Sequence, residues 1–154
     1  SYRTTLYEGW GVGSNGFGGG TTNHAWSGGG LTILSQYVCG VSPLKPGFRE
    51  WMVAPCPAGV RQAETFIPTV SGNIKVSFVD SSDSFTLSVS VPKGTEALVC
   101  MPLDSKEIRL NGKLIWKNGQ MAGRRSYIRP DGSVSSAIAF RVSKAGDWNF
   151  TSLR

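Results

Sequence analysis

Ile74, Val76 and Phe78 alternate with Lys75 and Ser77, and Phe85, Leu87, Val89 and Val91 alternate with Thr86, Ser88 and Ser90. A period of two puts every apolar side chain on one face of an extended strand, whereas a helix would scatter the same residues around its axis. The run Asp80-Ser81-Ser82-Asp83 between the two segments is turn chemistry. Together they predict two half-buried antiparallel strands that share an apolar face.

Shorter runs of strand character follow over 95–101, 107–110, 113–116, 126–129, 137–142 and 147–152. Asn111-Gly112 is a two-residue hairpin signal, because both residues tolerate the positive φ that such a turn requires, and Asp131-Gly132 is a second turn signal. Many short strands with turn residues between them predict an antiparallel β-sandwich, here over residues 46–154.

Upstream of residue 46 the pattern is different. Ten of the twenty glycines fall within the first thirty residues, a stretch that can bury little side chain. Leu31, Leu34, Tyr37 and Val38 then recur at spacings of three and four, which predicts one amphipathic helix ending at Gly40, with Thr22 or Asn23 available as its cap. The cluster from Gly40 to Gly47, with Pro43 and Pro46, suits neither a helix nor a central strand. The expected organisation is therefore a terminal loop and helix over 1–45 and a sandwich domain over 46–154, mainly β.

Charge narrows the function classes. The net charge is +6, but Lys and Arg are scattered from Lys45 to Arg154, with Arg124-Arg125 the only adjacent pair. No basic helix, zinc motif or RNA-binding signature accompanies them, so no nucleic-acid partner is expected. No run approaches 18 apolar residues, so no membrane partner is expected either. Cys39, Cys56 and Cys100 are odd in number and widely spaced, which fits free, mostly buried thiols better than a metal knuckle or a disulfide framework. The glycines at 16–20 lack the Gly-Lys-Ser/Thr ending of a phosphate loop, and Gly-x-Ser-x-Gly is absent. No cofactor or metal is expected.

Between Arg3 and Lys45 the only formally charged side chain is Glu8, set among Tyr7, Trp10, Phe17 and Trp26. A carboxylate without a cationic neighbour in sequence, among aromatic rings, suits an uncharged ligand such as a sugar and can hold its pKa near working pH. The simpler reading, and on composition alone the favoured one, is a lone loop glutamate in a glycine-rich segment. His24, the sole histidine, either contacts a sugar hydroxyl or caps the helix start. Glycoside hydrolysis needs two carboxyl groups, and the next acidic residue after Glu8 is Glu50, past the expected boundary. Trp51, Trp116 and Trp148 fall in expected strands and read most simply as core or edge packing; a carbohydrate-binding platform would need them co-facial and exposed.

Three segments carry a resemblance: Thr4-Thr5-Leu6-Tyr7-Glu8, then Asn23-His24-Ala25-Trp26-Ser27-Gly28-Gly29, then Gly40-Val41-Ser42-Pro43-Leu44-Lys45-Pro46-Gly47-Phe48. In order and spacing they resemble the end of the bacterial α-L-rhamnosidases of glycoside hydrolase family 78. There a Thr-Thr-x-Trp-Glu motif and an Asn-His motif close an (α/α)6 barrel, and a Gly-x-x-Pro-x-x-Pro-Gly-Phe segment leads into a C-terminal β-sandwich. Ile67-Pro68-Thr69 followed by Gly72-Asn73-Ile74-Lys75-Val76 also resembles that sandwich's first hairpin.

The resemblance implies that Glu8 is the general base of an inverting hydrolase, that His24 contacts rhamnose, and that Tyr7, Trp10 and Trp26 wall the sugar. Tyr7 is a departure, since the family usually has tryptophan there. It further implies a rhamnose-containing plant or bacterial glycan as substrate, a general acid and remaining barrel upstream in the same polypeptide, inactivity of this part alone, and a periplasmic or secreted location. Two other classes compete with it: a non-catalytic carbohydrate-binding or scaffold sandwich, and a related barrel enzyme such as a lyase.

Overall fold

The computed structural model describes residues 24–118 and 123–154. The chain divides into two compact units, Ser1–Leu34 and Ser35–Arg154.

Helical structure runs from residue 25 to 38 in three short pieces. A 3-10 turn, Ala25–Gly28, leads into α1, Gly29–Ile33, and a π turn, Leu34–Val38, follows. The regular helix expected here is thus reduced to five α-helical residues. Gly28, Gly29 and Gly30 sit where it would start, and glycine is among the poorest helix formers. His24 holds the position before the first turn in an extended conformation, without a side-chain capping bond.

Eleven strands follow among the described residues: β1 Val41–Pro43, β2 Glu50–Val53, β3 Gln62–Thr69, β4 Gly72–Asp80, β5 Ser84–Val91, β6 Glu96–Met101, β7 Glu107–Leu110, β8 Lys113–Lys117, β9 Arg124–Ile128, β10 Val134–Val142 and β11 Gly146–Leu153. They form two sheets, ordered β1-β2-β6-β10-β9 and β3-β4-β5-β11-β7-β8. Every pairing is antiparallel except β2 with β6, which runs parallel with Trp51 opposite Ala97 and Val53 opposite Val99. Between β2 and β6 the chain visits the second sheet to lay down β3, β4 and β5. A parallel neighbour requires a long crossover of this kind.

β1 lies inside the proline and glycine cluster, ahead of residue 46. Its place at a sheet edge reconciles Pro43 with strand pairing, since an edge strand can spare an N–H. Pro68 is housed likewise on β3, at the edge of the second sheet.

The alternation read from the sequence becomes the core. Ile74, Val76 and Phe78 of β4 and Phe85, Leu87, Val89 and Val91 of β5 face Trp51, Val53, Ala97, Val99, Met101 and Ile138 of the first sheet, all buried. Phe78 stacks on Phe85 with ring centroids 5.7 Å apart. Phe140 of β10 meets Phe150 of β11 at 5.9 Å, an aromatic contact between sheets. Asn111 and Gly112 both have positive φ, 47° and 82°, so the β7–β8 hairpin takes the turn that the dipeptide predicts. The first sheet also buries a smaller cluster of Met52, Ala54, Cys100, Ala137 and Ala139.

Candidate functional site

Of the residues singled out from sequence, Glu8, Tyr7 and Trp10 lie outside the described residues. His24 and Trp26 lie inside. Their rings meet edge to face, with centroids 5.3 Å apart and planes at 71°. Trp26 is 88% exposed, so the indole offers its surface to solvent while the imidazole stands at its edge. An aromatic ring beside a hydrogen-bonding ring is the pair of functions that sugar recognition uses: stacking for the C–H face and a polar atom for a hydroxyl. Leu31, Ile33 and Leu34, further along the same segment, are exposed as well.

The tryptophans of the sandwich divide otherwise. Trp51 is fully buried, its indole N–H donating to Thr95 Oγ1 at 3.2 Å, and the Thr95 hydroxyl donates in turn to the Pro92 carbonyl at 2.9 Å. Trp116 is buried too, with Arg124 5.7 Å from its ring. Trp148 is half-buried and donates to the Lys144 carbonyl at 3.0 Å. No co-facial, exposed row of these three exists for a ligand to stack on.

Cys39 and Cys100 are buried thiols and Cys56 is half-buried. Burial pushes Cys100 up to about 12. Burial, and then the Glu64 carboxylate, raises Cys39. Neither supplies a nucleophile at neutral pH. Among the described residues no group of three His, Cys, Asp or Glu side chains is placed to hold a metal ion.

A cleft of about 780 Å³ lies over the second sheet, lined by residues of β3, β4, β5 and β11 together with Asn111. The sequence reading missed it, because its residues run from Glu64 to Asn149 and belong to four strands. The available signal was the outward set of the alternation, where Phe66 stands among Glu64, Lys75 and short hydroxyl residues.

The class that these features define is a predominantly antiparallel two-sheet sandwich with a short helical lead-in. Residues 40–113 match the bacterial alpha-L-rhamnosidase C-terminal domain. That segment is similar to this domain, and the chain as a whole resembles the C-terminal part of a bacterial α-L-rhamnosidase. A curated relative, the alpha-L-rhamnosidase of Alteromonas sp. (strain LOR), is 36% identical over 95 residues, covering 58% of this chain and 10% of the relative. Among solved structures, the alpha-L-rhamnosidase from Dictyoglumus thermophilum is similar at a TM-score of 0.75 and 20% identity, over 99% of this chain and 16% of that one. The Streptomyces avermitilis alpha-L-rhamnosidase complexed with L-rhamnose gives a TM-score of 0.66 and 25% identity, over 97% of this chain and 14% of that one. All three relatives are glycoside hydrolases, and this chain spans 10% to 16% of their lengths.

Proposed function

We propose that this chain is a C-terminal fragment of an inverting α-L-rhamnosidase that removes terminal rhamnose from plant or bacterial glycans in the periplasm or outside the cell. The segment ahead of β1 helps to complete the (α/α)6 catalytic barrel, and the strands from β1 onward form the sandwich that follows it in sequence. Glu8 deprotonates the water that attacks the anomeric carbon, and a general acid upstream, its carboxyl about 6.5–9.5 Å from that of Glu8, protonates the leaving oxygen. Holding only one of the two carboxyl groups, the chain alone is inactive.

The observation that carries this reading is the His24–Trp26 pair, an exposed indole with an imidazole at its edge, placed at the Asn-His motif. The exposed Leu31, Ile33 and Leu34 support it, since an apolar helical segment of this kind is expected to pack within a larger helical body. The similarity to three rhamnosidases supports the substrate class.

The test is the full-length parent carrying Glu8→Gln, assayed on an aryl rhamnoside. Loss of a general base lowers turnover by about 10²–10⁴-fold. Near-normal turnover would remove Glu8 from the mechanism. Proton NMR of the wild-type reaction separates the competing chemistries: β-rhamnose as first product marks inversion, and an unsaturated sugar marks a lyase.

A further inference from the structure

Strand register lays two polar rows across the outer face of the second sheet. Phe66 stands opposite Lys75, Lys75 opposite Ser90, and Ser90 opposite Asp147. One step along, Glu64 stands opposite Ser77, Ser77 opposite Ser88, and Ser88 opposite Asn149. The intervening residues on β4 and β5 point into the core, so these rows are the necessary outward set of the same alternation. The cleft of about 780 Å³ lies over both rows, within the usual size range of small-ligand sites.

The face is organised for more than solubility. The Ser90 hydroxyl donates to Asp147 Oδ1, Asn149 Nδ2 donates to Ser88 Oγ at 3.0 Å, and the Asn149 backbone N–H donates to Asn111 Oδ1 at 2.9 Å. These bonds hold short hydroxyls, amides and a carboxylate in fixed positions, with acceptor capacity left over. At one end Phe66 is 53% exposed, with the Lys75 ammonium 5.8 Å from its ring centre. An aromatic surface next to ordered donors and acceptors matches a pyranose, which has an apolar C–H face and a hydroxyl rim. Charge separates the glycan classes: two carboxylates, Glu64 and Asp147, against the single ammonium of Lys75 disfavour a polyanion. Neighbouring strands lie about 4.8 Å apart, close to the length of one sugar in a chain, so a row of four strands accommodates roughly three to four sugars.

We propose that this face binds a neutral oligosaccharide chain laid across β3, β4, β5 and β11. The site is built only from residues between Glu64 and Asn149 and does not depend on which bond the parent enzyme cleaves. Its effect would be to hold polymer beside the catalytic part and raise the local concentration of chain ends.

The test is a ¹⁵N chemical-shift titration of the 154-residue chain with a rhamnan hexasaccharide and with cellohexaose, and in parallel with hexagalacturonate. The expected result is saturable shifts confined to the four strands with a neutral chain, and binding of the acidic chain at least roughly tenfold weaker. Phe66→Ala, on the solvent face and checked by circular dichroism for an unchanged fold, weakens neutral binding by roughly fivefold or more, and Phe66→Tyr restores it. Silence with both neutral chains, shifts that map elsewhere, tighter binding of the acidic chain, or an unchanged Phe66→Ala affinity would each overturn the proposal. Because the readout is binding alone, its failure leaves the Glu8 assignment standing, and the converse holds.

Discussion

Gly40 lies against the Ala54 backbone: a β-carbon at Gly40 would stand 2.1 Å from both the carbonyl carbon and the oxygen of Ala54. Its φ is +73°, and its carbonyl accepts the Ala54 N–H at 2.9 Å, which ties the start of β1 to the end of β2. Gly40→Ala combines left-handed strain with a clash against backbone that has no rotamer to escape into. A loss of about 3 kcal/mol or more is expected in urea denaturation. Gly59→Ala is the control: φ there is +90° with open space around it, so only the strain of about 1 kcal/mol remains. Equal losses at the two positions would show that the close approach to Ala54 is unimportant.

The Trp51–Thr95 bond makes a second stability prediction. Thr95→Val keeps the shape but leaves the buried indole N–H without its acceptor, at a cost of about 1–3 kcal/mol. In a double-mutant cycle with Trp51→Phe, the Thr95→Val penalty shrinks, because no indole N–H remains to be stranded. An unchanged penalty in the Trp51→Phe background would place the effect elsewhere.

Thiol chemistry separates the three cysteines. At pH 8 the native chain should react with DTNB first at half-buried Cys56, and Cys39 and Cys100 should follow only on unfolding. The linkage has a definite sign. Cys39 and Cys100 keep their protons to higher pH when folded than the ordinary value of 9.0. Above pH 9 the unfolded chain therefore binds fewer protons, and stability falls as pH rises from about 9 toward about 12. Cys100→Ala should flatten that decline in urea melts, and an unaltered alkaline limb would exclude the Cys100 thiol as its source.

Glu50 offers the acid-side counterpart. The Lys45 ammonium, hydrogen-bonded to its Oε1, holds its carboxyl below the usual range, with Arg141 and Arg49 adding to the effect. A depressed folded value means that any stabilisation is present above the ordinary 4.5 and fades as pH falls through the folded value. Lys45→Met should move the Glu50 titration upward in carboxyl-detected NMR. Glu50 is half-buried at the surface, where solvent screening keeps the accompanying change in stability small.

Legibility from sequence followed the range of the interactions. β4 and β5 were readable because their period of two survives in each residue's own neighbourhood, and Asn111-Gly112 because its turn depends on two residues alone. β1 was not, since Pro43 and the glycines around it are tolerable only at a sheet edge, and edge position is a property of the whole sheet. The parallel register of Trp51 with Ala97 has no local signature at all. The sites divide similarly: His24 and Trp26, expected from sequence and two residues apart, do meet, whereas the cleft over β3, β4, β5 and β11, which was not expected, comes into being only when register aligns residues far apart in sequence.

The parallel pairing of β2 with β6 also fixes an order of events. β3, β4 and β5 are joined by short turns and can zip together from local encounters, but β2 has no partner on its β6 side until residues 54–95 have been looped out. On a ribosome, the strand that carries Trp51 emerges early and must wait with one edge open while two hairpins are made. The hydrophobic run from Trp51 to Ala54 is therefore where a nascent or heat-stressed chain is most exposed to pairing with a second copy of itself.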